Sequence, residues 1–159
     1  MTPTELLALL QDCYAARLRL MLRHEAVARN VGQFDFNNTY QYVIAREETH
    51  LSWLRAAIEE LGGTVPDERE PALEARAGVT ALIAEDVRSA QAFVDEWRER
   101  VERVTNARHR GMLRVILGET LEHRRFFDQA VAGQEDLLGK SLDGGARRGS
   151  TMGTRWVGD

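Results

Sequence analysis

The chain of 159 residues contains little cysteine, proline or lysine, and these shortages limit what it can be. Cys13 is the only cysteine, so no intramolecular disulfide can form, and a reducing, cytoplasmic location is expected. Three prolines are few enough to allow long uninterrupted helices. No stretch approaches the roughly 18 apolar residues of a membrane span, and the N-terminus does not have the pattern of a signal peptide. We therefore expect a soluble protein with no membrane partner.

The charge balance argues against a general nucleic-acid-binding role. The chain has 21 basic and 25 acidic residues, a net charge of −4, and Lys140 is its single lysine. A nucleic-acid-binding domain usually carries a clear excess of positive charge. Because 43% of the residues are hydrophobic, a chain of this length can form one substantial core, and it is too short for two comfortable domains.

Four segments repeat apolar residues at three- and four-residue steps, which is typical of amphipathic helices. Thr2-Pro3-Thr4-Glu5 has the features of a helix start, and Gly32 is the expected end of the first helix. Asp35 or Asn37 is available to cap the second helix, which Gly62-Gly63 should stop. The predicted helices cover about residues 3–30, 38–61, 79–104 and 108–132.

The connections between these helices predict how they are arranged. The two short loops inside the helix pairs require antiparallel neighbours, and the polar linker 64–78 is long enough to cross from one end of a bundle to the other. A short helical piece near residues 71–76 is compatible with this linker. The sequence thus predicts an all-α four-helix bundle over residues 1–138, built from two antiparallel hairpins with a long crossover. Residues 139–159, rich in glycine and arginine, are expected to be a flexible tail.

On each predicted helix, the apolar residues form a line along the face that should point into the core, which we call the seam. Polar residues interrupt these seams at positions where a bundle core would favour leucine. Glu47 and His50 lie one turn apart on the second helix, and Glu119, Glu122 and His123 share a face of the fourth. A carboxylate and an imidazole one turn apart, repeated on a second helix, is the ligand pattern of carboxylate-bridged di-metal sites in four-helix bundles. Since a buried ionised carboxylate must be paired, protonated or metal-bound, the pattern favours a metal site.

The first and third helices supply two further candidate ligands. Tyr14 and Glu47 have the same separation in the chain as Asp86 and Glu119, which predicts that both hairpins deliver polar residues to one level. Tyr14 is either a ligand or a core residue with a satisfied hydroxyl, and a slightly rotated third helix would present Glu85 instead of Asp86. Of the two candidates on the fourth helix, His123 follows the seam better than Glu122. Arg17, on the seam of the first helix, is the positively charged residue expected near these acids. The predicted metal ligands are Tyr14, Glu47, His50, Asp86, Glu119, Glu122 and His123.

With these motifs, residues 6–131 resemble the rubrerythrin and bacterioferritin branch of the ferritin-like superfamily. The resemblance is carried by Glu47-Glu48-Thr49-His50, which matches E-x-x-H, and by Glu119-Thr120-Leu121-Glu122-His123, which matches E-x-x-E-H. It implies two irons, possible substitution by manganese or a mixed pair, and Glu47 and Glu119 as bridging ligands. His50 and His123 or Glu122 would be terminal ligands, and Asp86 would replace the third-helix glutamate.

The chain also departs from that family. Tyr14 stands where the family has a glutamate on the first helix, and Ser89 stands where rubrerythrins carry an additional acid. With one cysteine there is no C-x-x-C pair, so we do not expect the rubredoxin domain of full rubrerythrins.

The resemblance implies a di-iron oxidoreductase of the ferroxidase or peroxide-reducing type, with metal ions and peroxide or dioxygen as partners. The alternative is a ferritin-like scaffold or cargo protein with a degenerate or single-metal site and no catalysis. A carboxylate oxygenase for an organic substrate is a third hypothesis.

Further expectations concern partners and two other histidines. A homodimer is expected because four leucines of the first helix should be exposed, and the tail either has no partner or docks to a protein through Arg155-Trp156-Val157. His24 and His109 are expected at solvated positions. The four leucines are Leu6, Leu9, Leu18 and Leu20.

Overall fold

The computed structural model describes residues 1–73 and 78–134, and within these ranges the chain is entirely helical with no strands. Four long helices follow one another: α1 (Pro3–Ala28), α2 (Phe34–Glu60), α3 (Val79–Glu102) and α4 (Ala107–Val131). They pack as a bundle, which confirms the all-α prediction. The second helix begins at Phe34, earlier than predicted, and the predicted tail lies outside the described residues.

Local chemistry explains where the helices begin and end. Thr2 and Glu5 form a reciprocal capping box: the Thr2 hydroxyl accepts from the Glu5 backbone N–H at 3.2 Å, and the Glu5 carboxylate accepts from the Thr2 N–H at 2.6 Å. Gln33, rather than Asp35 or Asn37, is the N-cap of α2, and its side chain makes no capping bond. Gly62 follows α2 with φ of 77°, a left-handed conformation that favours glycine.

Each helix is antiparallel to both of its neighbours in the bundle. α1 packs against α2 and α3, and α4 packs against the same two helices. Arg100, near the end of α3, binds Asp12, near the start of α1, at 2.8 Å. Arg108, at the start of α4, binds Glu60, at the end of α2, at 3.0 Å. The two hairpins α1–α2 and α3–α4, each closed by a short loop, therefore lie side by side.

The segment that joins the hairpins contacts α1 in chain order. The Gln11 side chain donates to the Thr64 carbonyl at 2.7 Å, and Arg29, after the end of α1, pairs with Glu70. Residues 71–73 are not helical, and residues 74–76 of the predicted short helical piece fall outside the described ranges.

Two leucines that were expected at the surface belong to the core. Leu6 and Leu9 are 7% and 8% exposed, and Leu18 and Leu20 are partly buried against the same cluster. Exposed leucines on α1 therefore no longer support a dimer. Cys13 is also buried, and this burial raises the pKa of its thiol to about 12. In the described ranges, no helix combines the length and apolar composition that crossing a membrane requires.

Replacing Thr2 by Ala should destabilise the bundle by about 1 kcal/mol, because the first-turn amide of Glu5 loses its acceptor. Thr4→Ala is the matched control, since Thr4 lies exposed in the first turn of the same helix and Ala favours the helix slightly. Urea unfolding of both variants measures the difference. Equal stabilities would contradict a stabilising role for the capping box.

Candidate functional site

The middle of the bundle contains buried polar side chains contributed by all four helices. Every predicted ligand residue is buried, at 7% exposure or less. They sit at core-facing helix positions between apolar residues, so the helical phase that buries the leucines also buries them. The buried predicted residues are Tyr14, Glu47, His50, Asp86, Glu119, Glu122 and His123.

His24 of α1 lies between two of the predicted acids. Its Nδ1 contacts Glu47 Oε2 at 2.9 Å, and its Nε2 lies 3.9 Å from Asp86 Oδ1. Burial lowers the pKa of His24, but the Glu47 and Asp86 carboxylates outweigh this effect and raise the pKa above its ordinary value. A protonated His24 therefore neutralises charge between two buried acids. The expectation of a solvated His24 was wrong, since this side chain is 1% exposed.

Asp86 of α3 has hydrogen bonds to both carboxylate oxygens. Arg23 Nε donates to Oδ1 at 2.7 Å, and the Tyr40 hydroxyl donates to Oδ2. Arg23 also donates to the Leu82 carbonyl at 3.2 Å, which holds the guanidinium along α3. Burial and the neighbouring Asp86 charge raise the pKa of Tyr40, so the phenol stays protonated as the donor.

Arg17 lies fully buried at the centre of the bundle, and its contacts decide the tautomer of His50. Its Nη1 donates to the Thr120 hydroxyl at 2.9 Å, and its Nη2 lies 3.0 Å from His50 Nδ1 and 3.6 Å from Glu47 Oε1. A guanidinium can only donate, so His50 Nδ1 must accept. The single imidazole proton is then on Nε2. Burial and the adjacent Arg17 charge lower the pKa of His50, in agreement with this neutral form.

Glu119 of α4 is held by two side chains of α2. His50 Nε2 donates to Glu119 Oε2 at 2.9 Å, and Arg46 binds both carboxylate oxygens, at 2.9 and 2.8 Å. Burial acts to raise the pKa of Glu119, but the hydrogen bonds from His50 and Arg46 outweigh it and hold the pKa at about 2. Glu119 is therefore ionised at neutral pH.

These contacts join into one continuous series of charged and polar groups across the bundle, which we call the charge chain. Positive and negative groups alternate along it, except that neutral His50 links Arg17 to Glu119. Its two ends are arginines whose side chains are 17% and 30% exposed, whereas the members between them are almost fully buried. In order, the charge chain is Arg23, Asp86, His24, Glu47, Arg17, His50, Glu119 and Arg46.

His123 lies beside the charge chain and is stacked on His50, with ring centroids 6.3 Å apart. Burial and the nearby Arg17 charge lower the pKa of His123 well below its ordinary value, so this imidazole is neutral. Among the described residues its Nδ1 has no hydrogen-bond partner. Glu122, one position earlier on α4, is buried at 7% exposure.

Tyr14 does not meet the predicted acids. Its hydroxyl accepts from Arg55 at 3.0 Å, while Glu47 contacts His24. Side chains lean toward the N-terminus of their own helix, so in an antiparallel hairpin Tyr14 and Glu47 lean apart. Equal distance from the loop predicted that Tyr14 and Glu47 face each other. Instead, Tyr14 contacts Arg55 and Glu47 contacts His24, and each of these partners lies farther along its helix than predicted.

The predicted acids Asp86 and Glu119 do not share a binding partner in these contacts. Asp86 contacts residues of α1 and α2, and Glu119 contacts Arg46 and His50. The sequence reasoning missed His24, Arg23 and Arg46. The one signal for these residues was the position of His24 on the seam of α1, one turn after Met21, which predicts that it faces the core. His109 was also expected to be exposed and is buried at 5% exposure near the start of α4.

Most of the predicted metal ligands contact other protein side chains. In residues 1–73 and 78–134, no three His, Cys, Asp or Glu side chains are grouped so that they could hold a metal ion. Both ring nitrogens of His50 are used, one as acceptor from Arg17 and one as donor to Glu119. The guanidinium of Arg17 also places a fixed positive charge next to Glu47.

Stability above pH 6.5 should depend on His24. Its raised pKa means that folded His24 keeps a proton that an unfolded histidine releases near pH 6.5. The stabilisation is fully present below that pH and is lost as pH rises through the folded-state pKa, by at most about 1.4 kcal/mol per pH unit. Urea unfolding between pH 6 and 9 should show this decline in the wild type and a flatter profile in His24→Gln. His109→Gln, the control, should keep the decline, and an unchanged decline in His24→Gln would contradict the assignment.

Arg17→Met should destabilise the protein by about 3–5 kcal/mol, because removing one member of a buried ion pair leaves the other charge uncompensated. Arg46→Met should cost only about 1 kcal/mol, since the Arg46 side chain is 30% exposed and water can replace it at Glu119. Combining Arg17→Met with Glu47→Gln should cost less than the sum of the single changes. Equal effects of Arg17→Met and Arg46→Met, or strict additivity of the double change, would argue against a central role for Arg17.

Comparison with protein-family models, with curated proteins and with solved structures gives no match for this chain. The resemblance to rubrerythrins and bacterioferritins thus continues to rest on the two sequence motifs.

Proposed function

We propose that this protein is a ferritin-like helical scaffold that acts by binding rather than by di-metal catalysis. The observation that carries the proposal is the position of Arg17, whose fully buried guanidinium lies 3.6 Å from Glu47 Oε1 and 3.0 Å from His50 Nδ1. Two unit charges of the same sign 4 Å apart repel by about 4 kcal/mol at an effective dielectric constant of 20, and a divalent ion would double that. A metal ion at this point would therefore have to displace Arg17.

The hydrogen bonding of the predicted ligands supports the same conclusion. Both oxygens of Asp86 and both oxygens of Glu119 accept hydrogen bonds, and neither nitrogen of His50 has a free lone pair. The carboxylates in the charge chain thus have protein cations as counter-ions. The cost of burying them is offset without any bound ion.

Two features of the fold favour the ferritin-like part of the proposal. Each helix is antiparallel to its neighbours, and the segment after α2 contacts α1 in chain order from Gln11 to Arg29. Both features are expected if the connection crosses the length of the bundle. Docking through residues 139–159 remains a sequence prediction within this proposal, and a homodimer remains one without support from the leucines of α1.

A second candidate is the iron- or peroxide-handling function implied by the motifs. Three buried atoms favour it, because they have no hydrogen-bond partner in the described part of the chain: His24 Nε2, Glu47 Oε1 and His123 Nδ1. Buried polar atoms of this kind need an explanation, and an unseen ligand is one explanation. This candidate requires Arg17 to move away from Glu47 and His50.

Metal analysis should distinguish the two candidates. After anaerobic incubation with Fe(II) or Mn(II) and removal of free metal, the scaffold proposal expects close to zero metal per chain. It also expects no change in unfolding temperature, whereas a ligand at 100 times its Kd would stabilise the protein by about 2.7 kcal/mol.

The control for this experiment is the combination of Glu47→Ala with Glu119→Ala. Wild-type protein that binds two ions per chain, together with loss of both ions in this variant, would refute the scaffold proposal and establish the second candidate. If the wild type and the double variant retain the same amount of metal, that metal is bound at a site that does not need Glu47 or Glu119.

A further inference from the structure

A pocket of about 360 Å³ is lined in part by Phe93 of α3. It is bounded by α1, by α3 and by the connection near Pro71. Leu20 and Phe93 contribute apolar surface, and the buried Arg17 guanidinium lies 5.4 Å from the ring centroid of Phe93. The volume is in the range of small-molecule sites, and an apolar surface with a few polar groups is the usual composition of such sites.

The charged residues that line this pocket are mainly basic. Three arginines, Arg19, Arg23 and Arg69, line it with a single acid, Glu96. Glu96 is paired with Arg100 at 3.4 Å, Arg19 with Glu68 at 3.1 Å and Arg23 with Asp86 at 2.7 Å, which leaves Arg69 as the lining arginine with no ion pair to a described residue. The protein as a whole carries a net charge of −4, so a local excess of arginine is not explained by composition. The pocket therefore favours a negatively charged ligand.

Arg23 is the best placed of the three arginines to orient such a ligand. Its Nε and one terminal nitrogen are fixed by Asp86 and the Leu82 carbonyl, which uses two of the five guanidinium donors. Its side chain is 17% exposed, so part of the guanidinium is held rigidly at the wall of the pocket. A rigid guanidinium suits the planar, two-oxygen geometry of a carboxylate.

We propose that this pocket binds a small amphipathic carboxylate, with its carboxylate at the arginines and its apolar body against Leu20 and Phe93. The basic residues select the charge, and the apolar surface excludes small, fully hydrated anions. This site goes beyond the scaffold function proposed above and does not depend on whether the charge chain binds metal.

Isothermal titration of the metal-free full chain with octanoate tests the proposal. We expect saturable binding of one octanoate per chain, much weaker binding of octan-1-ol, which has no charge, and no binding of inorganic phosphate, which has no apolar body. Replacing both Arg19 and Arg69 by Gln should weaken octanoate binding about tenfold, as expected for the loss of charge-assisted contacts. Arg19 is 59% exposed in its side chain, so this change should leave the fold intact.

The matched control replaces Arg98 and Arg103 by Gln, which removes the same charge from exposed positions outside the pocket and should leave the affinity unchanged. Ala92→Phe, which fills the pocket from α3 without changing charge, should abolish binding. Three results would overturn the proposal: no saturable binding of octanoate, equal affinity for octan-1-ol or phosphate, or equal weakening by the two arginine pairs. Unfolding in urea verifies that each variant is folded.

Discussion

The placement of one guanidinium, that of Arg17, controls the chemistry of this bundle. A buried arginine is costly unless acceptors surround it, and here three acceptors come from two other helices: Glu47 and His50 on α2 and Thr120 on α4. Burial lowers the pKa of Arg17, but Glu47 opposes this effect. The helices must therefore pack in the register that keeps this charge satisfied, so the ion pair specifies the arrangement in addition to the apolar core.

The neighbours of Arg17 depend on it in turn. Because Arg17 donates to Nδ1 of His50, the His50 proton is on Nε2 and is directed at Glu119. On the other side, Glu47 is shared between Arg17 and His24, and His24 also faces Asp86. Burial and the Arg17 charge favour neutral His50, whereas the Glu47 and Asp86 carboxylates raise the pKa of His24 against the opposing effects of burial and Arg17. Alternation of charge keeps the acids of the two hairpins compatible in one core.

The sequence was a good guide to the helices and to the burial of the candidate ligands, but it placed His24, His109, Leu6 and Leu9 wrongly at the surface. Capping signals at Thr2 and Gly62 and the three- and four-residue periodicity predicted four helices, although α2 begins earlier than its first predicted cap. All seven candidate ligands were correctly placed inside the bundle, because burial follows from helical phase alone. Phase does not determine which buried groups touch. That depends on crossing geometry and on the direction in which each side chain leans, so Tyr14 binds Arg55 and Glu47 binds His24.

The distinction between buried and coordinating residues explains why the two motifs alone do not decide the function. E-x-x-H on a core-facing helix ensures that a carboxylate and an imidazole are buried together, and either a metal or a set of protein cations can then offset their charge. Arg17, Arg23 and Arg46 all lie within hydrogen-bond distance of the motif residues or Asp86. Each arginine uses lone pairs that a metal would need. Because His50 can offer its Nδ1 lone pair either to Arg17 or to a metal ion but not to both, the competition at this one nitrogen decides between the scaffold and the metal centre.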